Sequence, residues 1–315
     1  MAQLIFAGAL AHTAQMVRTP HKLDEAQRHA VFGALDTMRQ RLVDSRPDLL
    51  VIFGSDHFQS FHLDNMPAFC IGIGSHTETF GDAGVPAASF DMHDSFCRFL
   101  AGYLLDAGID VATSRRLKLD HAFASPLHFL LPEANIPLVP VMVNTIAAPL
   151  APLRRAHQLG TAVGRAIATF SDDLRVAVLG TGGLSHWLPI PDPDRPQNPS
   201  DAEIIEQMIS GRDNPGRMQE LLLPRINRMS EMNNARIGEQ FDREVIDLLV
   251  CGRGAELALR TTQWVEENGG GGGQEIRNWL AAAGAAGDCK AELLSYQAVV
   301  PWMTGIALME WQLPA

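Results

Sequence analysis

The sequence predicts an α/β fold: a central, mostly parallel or mixed sheet flanked by helices, built as a single domain over residues 1–315. Three observations point there. Short apolar runs alternate with longer segments of helical period, the signature of strands and helices layered on one another. Apolar residues make up 46% of the chain and charged ones 19%, a globular balance with ample material for a core. Three histidines fall just beyond apolar runs, where a buried strand gives way to a loop.

The elements follow in order. LIFAGAL (residues 4–10) reads as a buried strand. From Asp24 to Val43, the apolar residues Val31, Leu35, Met38 and Leu42 recur at helical spacing and mark one face of a helix. Pro47 ends that helix, and DLLVIFG (residues 48–54) is a second buried strand. A helix over residues 92–106 turns Phe96, Leu100, Tyr103 and Leu104 inward, with Gly108 placed past its end. Residues 109–113, 138–144 and 175–181 are further strands. LDHAFASPLHFLL opens an apolar helical segment at His121. The proline-rich stretch from Pro189 to Pro199 is a loop, and the glycine run from Gly269 to Gly273 is a hinge, a lid or a helix entry. No internal repeat is present.

Composition narrows the partners. With 25 Lys and Arg against 36 Asp and Glu, the formal charge is −11, and no basic stripe interrupts it. Nucleic-acid backbones and anionic membranes reward clustered cations, so neither is an expected partner. The longest apolar stretch, residues 136–153, carries four prolines and makes a poor membrane span. No basic residue precedes Arg18, so the charged start of a secretory signal is missing and a cytoplasmic location is expected. Cys70, Cys97, Cys251 and Cys289 form no CxxC pair and read as free thiols.

The chemistry lies in the histidines. His12 follows LIFAGALA, His57 follows DLLVIFGSD and His186 follows RVAVLGTGGLS. In open α/β sheets ligands collect beyond the carboxyl ends of the strands, so three imidazoles delivered there converge on one site. His121 joins them from a helix N-terminus. Any one of these alone reads as an ordinary core or surface histidine; the pattern carries the reading. Spacing does not separate iron from zinc, since both accept imidazole and carboxylate oxygen. GTGGLSH (residues 180–186) lacks the Lys-Ser/Thr of a P-loop, the third glycine of G-x-G-x-x-G and the serine of a nucleophile elbow. It reads as a tight turn that lets backbone approach a ligand and presents His186.

Together the stretches PDLLVIFGSDHFQSF, MPAFCIGIG, LDHAFASPLHFLL, IPLVPVMVN, LGTGGLSH and QEIRNWLAAAGA resemble the class III extradiol ring-cleavage dioxygenases, the superfamily of the protocatechuate 4,5-dioxygenase catalytic subunit. Within it the chain is most similar to the branch that cleaves 2,3-dihydroxyphenylpropionate. The segments run in order from Pro47 to Ala285, with GGLSH and DHAFASPL the most specific. The resemblance implies a catalytic domain that opens a catechol-type ring beside its hydroxyls with O2 at a mononuclear Fe(II), and it implies a homo-oligomer. His12 and His57 match the iron ligands, and Glu275 matches the third, with Glu239, Glu266 and Glu267 fitting less well. By itself Glu275 reads as a helix-start carboxylate favoured by the dipole.

His121 and His186 match the acid–base pair. Imidazole suits both tasks because its pKa lies near the working pH. His121 is assigned as the acid near the breaking O–O bond and His186 as the base or dioxygen-side group, and the two roles are exchangeable. Asp120 is expected to orient His121. Thr13 and Trp187, which depart from the relatives' pattern, are expected with Asp120 and His128 around the substrate. His128 is expected half-buried on the helical face of His121, and His62 in a solvated loop. The rivals are a zinc or manganese hydrolase on the same strand-end geometry and a non-catalytic Memo-like binding protein.

Overall fold

The computed structural model describes residues 1–133, 135–214 and 216–314. Along the chain the elements are β1 (Gln3–Leu10), α1 (Ala14–Arg18), α2 (Glu25–Asp44), β2 (Leu49–Gly54), β3 (Phe69–Gly72), β4 (His76–Glu78), β5 (Ser89–Asp91), α3 (Asp94–Asp106), β6 (Ala112–Ser114), α4 (His121–Leu130) and β7 (Leu138–Val143). There follow α5 (Leu153–Thr169), β8 (Arg175–Thr181), α6 (Asp201–Ser210), α7 (Arg217–Met232), α8 (Glu239–Val250), α9 (Gly254–Leu257), α10 (Thr262–Gly269), α11 (Ile276–Ala285), β9 (Ala291–Val299) and β10 (Thr304–Trp311).

Eight strands form one mixed sheet in the order β6-β3-β7-β2-β8-β1-β10-β9. Its centre, β7-β2-β8-β1, is parallel, while β3 and β10 join it antiparallel on either side. Parallel strands buried on both faces read as continuous apolar runs instead of alternating ones, which is why LLVIFG and LVPVMV are buried at every position. Pro140 is tolerated inside β7 because the β3 ladder ends at the Ile71–Val141 pair and does not extend to it.

Helix α11 is buried along its whole length, as expected of a helix apolar on all sides. It reaches the sheet because α5 offers small residues to it: a Cβ on Gly164 would stand 2.5 Å from the Ala285 carbonyl oxygen, and a Cβ on Gly160 would meet that of Ala281 still closer. Arg277, buried in α11, donates to the Ala151 and Gln274 carbonyls and to Thr262 Oγ1, and burial lowers its pKa to about 10. A second, smaller core joins Phe58 and Ala147 to Ile204, Met208, Met218 and Leu222, so α6 and α7 sit against the loops that follow β2 and β7.

The strands expected at residues 4–10, 48–54, 138–144 and 175–181 are present within a residue or so of those bounds. The run 109–113 yields only the short β6, because Ile109 is used to close the turn after α3 at Gly108, where φ is +76°. Of the three readings of the glycine run, the helix entry is the one seen. Gly269 ends α10, and Gly272–Glu275 form a buried 3-10 turn leading into α11. Residues 189–199 contain no regular element. Among the described residues no helix is long and apolar enough to cross a membrane.

Candidate active site

The parallel strands β1, β2 and β8 end side by side, and the segments following them carry His12, His57 and His186 to one edge of the sheet. His121 arrives at the first residue of α4, whose N-cap is Asp120. The His57 and His121 rings stack with centroids 4.4 Å apart, and the His12 ring stands edge-on to both at 6.1 and 5.9 Å.

Each of the four imidazoles is fixed through Nδ1. His57 Nδ1–H donates to Asp120 Oδ2 at 2.9 Å, and that oxygen also accepts the His57 backbone N–H at 2.7 Å. His121 Nδ1–H donates to Asp82 Oδ2 at 2.8 Å, and His186 Nδ1–H to the Leu184 carbonyl at 2.8 Å. Thr181 donates its hydroxyl proton to the Ala122 carbonyl, so its oxygen is left to accept His12 Nδ1–H at 2.8 Å. Outer partners of this kind set the tautomer and leave every Nε2 as the open nitrogen.

Glu275 closes the group. Its Oε2 accepts the Gly183 N–H at 2.6 Å, while Oε1 is buried without a hydrogen bond. That oxygen lies 3.4 Å from His57 Nε2 and 3.7 Å from His12 Nε2. His12, His57 and His121 also bring ring nitrogens within 4.8 Å of one another. Two nearly parallel stacked rings, however, send their in-plane lone pairs in similar directions and do not converge on a point. The uncommitted Glu275 oxygen facing two edge-on imidazoles is therefore the better third donor, and the set suits a divalent metal.

The electrostatics follow from burial and pairing. Burial lowers the His12 pKa to about 4, with Glu275 only partly offsetting it. Burial also opposes a charge on His57, but Asp120 and Glu275 outweigh it and hold that pKa well above its usual value. Glu275, despite burial, is held down to about 2 by His12, His57 and His186. His121 is raised: burial and His57 work against its charge and Asp82 prevails. His186 is lowered by burial, against a smaller opposing pull from Glu275.

The cavity beside these groups is lined by Thr13 and Trp187 and by an apolar wall that includes Phe58, Met218, Leu222 and Trp302. Helix α7, within a stretch that the sequence left without interpretation, thus forms part of the cavity wall. Arg236 lies over the Trp187 ring at 4.1 Å.

Several expected placements change. Asp120 does not orient His121, whose Nδ1 is 4.0 Å away; it caps α4 through Ala122 N–H and holds His57. Adjacent residues at a helix start point apart, and Asp82, 39 residues earlier, serves His121 instead. His128 is exposed on α4 against Phe129 and does not line the cavity. His62 is not solvated: it is 1% exposed, and neither ring nitrogen has a partner among the described residues. Glu239, Glu266 and Glu267 are exposed and are not among the residues lining the cavity.

Sequence reasoning missed Asp82, Thr181 and Asp242. The GDAG segment around Asp82 turns through positive φ at Gly81, Ala83 and Gly84, and nothing in its local sequence links it to His121. Asp242 of α8 accepts Ser185 N–H at 2.7 Å and the Ser185 and Tyr296 hydroxyls at 2.9 Å, fixing the segment before His186.

Known proteins bear on this arrangement. The family described as the catalytic LigB subunit of aromatic ring-opening dioxygenase matches residues 7–307. A protein of Photorhabdus laumondii named 2,3-dihydroxyphenylpropionate/2,3-dihydroxicinnamic acid 1,2-dioxygenase is 36% identical over 301 residues, covering 91% of this chain and 92% of the relative. Proteins of the same name from Rhodococcus sp and Escherichia coli O139:H28 are 34% and 32% identical, over 89% and 87% of this chain and 90% and 88% of their own. An uncharacterized Escherichia coli K12 protein of known structure shares the fold at a TM-score of 0.51 and 13% identity, covering 97% of this chain and 100% of its own.

Proposed function

Because this chain belongs to the family of catalytic LigB subunits of aromatic ring-opening dioxygenases, it is an extradiol ring-cleaving enzyme for catechol-type substrates, and we propose that His12, His57 and Glu275 hold Fe(II) for that reaction. One observation carries the ligand assignment. A buried carboxylate oxygen without a hydrogen bond faces two imidazole nitrogens whose opposite nitrogens are already tied down. Two histidines and one carboxylate are the donor set of non-haem ferrous oxygenases, and with these three residues holding it an iron ion would supply the means to bind the diol and activate dioxygen.

The remaining residues handle protons and exclude water. His186, with Nδ1–H committed to a neutral carbonyl, offers Nε2 to accept a catechol hydroxyl proton. His121 is the acid. Asp82 accepts from its Nδ1–H and, as an anion, stabilises the imidazolium, so a proton is held at Nε2 and delivered as the ring carbon–carbon bond beside the diol breaks. The proton taken up on binding balances the one returned, and both oxygen atoms of O2 enter the product. Phe58, Met218, Leu222 and Trp302 supply an apolar surface for the ring, and Thr13 and Trp187 flank it. The relatives' names support a 2,3-dihydroxyphenylpropionate-type catechol as the substrate class, and we read residues 1–315 as one catalytic domain.

Metal analysis of three variants tests the assignment. His57→Ala and Glu275→Gln should each lose stoichiometric iron after anaerobic reconstitution, whereas His186→Ala should keep iron and lose turnover. Stoichiometric iron and normal rates in His57→Ala would refute the ligand set. Preference for zinc over iron, with air-stable hydrolysis, would favour the hydrolase instead.

A further inference from the structure

We propose that Arg18 recognises a carboxylate on the substrate's side chain and so makes this cavity selective for catechols that carry an anionic arm. The inference rests on the ring-cleavage reading for the placement of the diol. Arg18 is the one Lys or Arg among the residues lining the cavity. It closes α1, the short helix that directly follows His12, so metal strand and cation belong to one strand–helix unit. Five residues of helix advance about 7.5 Å, so the Arg18 backbone stands further along the cavity wall than His12.

The position is built. Gly84 passes directly over the stem of Arg18: a Cβ there would stand 2.7 Å from Arg18 Cγ. Gly84 also has φ of +82°, which a residue with a side chain rarely adopts. The half-buried stem is thereby packed against the turn that carries Asp82. Yet among the described residues the guanidinium forms neither a hydrogen bond nor an ion pair. Most other cationic side chains with a buried or partly buried stem, such as Arg41, Arg225 and Arg277, are given partners.

Charge in the cavity makes the residue decisive. The other fixed charges lining it are the carboxylates of Asp82 and Glu275. The His57 and His121 imidazoles are already paired with Asp120 and Asp82, so without Arg18 an incoming carboxylate would find no unpaired cation on the wall; with it, a forked donor awaits an anion that the protein does not itself provide.

The test compares 3-(2,3-dihydroxyphenyl)propionate with 3-propylcatechol, which has a neutral arm of similar length. In anaerobic calorimetry on metal-free protein, the wild type should bind the acid about 10- to 100-fold more tightly than the neutral compound. Arg18→Met should bring that ratio close to one, and Arg18→Lys should restore part of it. In iron-loaded enzyme the same ratios should appear in kcat/KM. A wild-type ratio near one, or a ratio that Arg18→Met leaves in place, would overturn the proposal. Selective binding of the acid without ring opening by iron-loaded protein would uphold Arg18 and sink the ring-cleavage reading.

Discussion

Two adjacent glycines of the GTGG turn should fail in different ways when each is given a methyl group. Neither Gly182 nor Gly183 has a positive φ, so alanine is compatible with the backbone and the consequence is steric. A Cβ on Gly182 would lie 2.5 Å from Glu275 Cβ and 3.0 Å from the Glu275 carbonyl oxygen, where ordinary contact begins at 3.4 Å. Glu275 would have to retreat by the difference between 2.5 and 3.4 Å, 0.9 Å, and its backbone sits in a buried turn with little room. Metal ligands tolerate only about 0.2 Å of misplacement, so Gly182→Ala should weaken iron binding by about 100-fold.

A Cβ on Gly183 instead meets the His186 ring, 2.8 Å from Cε1 and 2.9 Å from Nδ1. The ring must shift by 0.6 Å, the difference between 2.8 and 3.4 Å, while the Gly183 N–H to Glu275 survives substitution. Displacing a catalytic group by about 1 Å costs on the order of 100-fold, so Gly183→Ala should keep its iron and lose about 10-fold in kcat. The assay is iron content by mass spectrometry beside initial rates of ring opening on reconstituted protein. The reasoning fails if both variants hold iron and turn over like the wild type, or if their phenotypes are exchanged.

Other outcomes follow from the same geometry. Asp120→Asn should weaken iron binding about 10- to 100-fold through His57, whereas Asp82→Asn should keep iron and lower kcat at least about 10-fold through His121. The reverse pattern, read by metal titration and steady-state kinetics, would mean the two carboxylates serve the opposite histidines. Asp242 carries a stability prediction. Burial raises its folded pKa to about 6, with the Ser185 and Tyr296 hydrogen bonds only partly compensating. The folded state then binds a proton that the unfolded chain, with an ordinary carboxyl pKa near 3.8, has released. Its contribution is most favourable below pH 4 and falls as pH rises through 6, by up to about 3 kcal/mol. In urea titrations from pH 4.5 to 7, the stability difference between wild type and Asp242→Asn should shift against the wild type as pH rises. A difference that is flat or moves the other way would contradict the buried-carboxyl account.

The parts of the site legible in the sequence were those carried on short-range pattern. His12, His57 and His186 each follow a short apolar run that reads as a buried strand, so a shared edge could be expected from the way ligands collect at strand ends. Glu275 needed the family resemblance, because a glutamate at a helix start is ordinary until the fold brings it under two imidazoles. What stayed hidden depends on contacts between distant segments. Asp82 reaches His121 across a turn that reads only as a turn, and Asp242 reaches Ser185 from a helix 57 residues away. The apolar face of α7 and strand β9 were likewise unread, since AELLSYQAV, half-buried along most of its length, lacks the continuous apolar run that marked the central strands.

The most direct test of the central claim is oxygen uptake by anaerobically iron-reconstituted protein on adding 3-(2,3-dihydroxyphenyl)propionate and air, followed with visible absorbance. One O2 should be consumed per ring opened, with a new conjugated yellow product and neither signal from zinc-loaded protein. Iron-loaded protein that takes up no oxygen with this or any other catechol would contradict that claim.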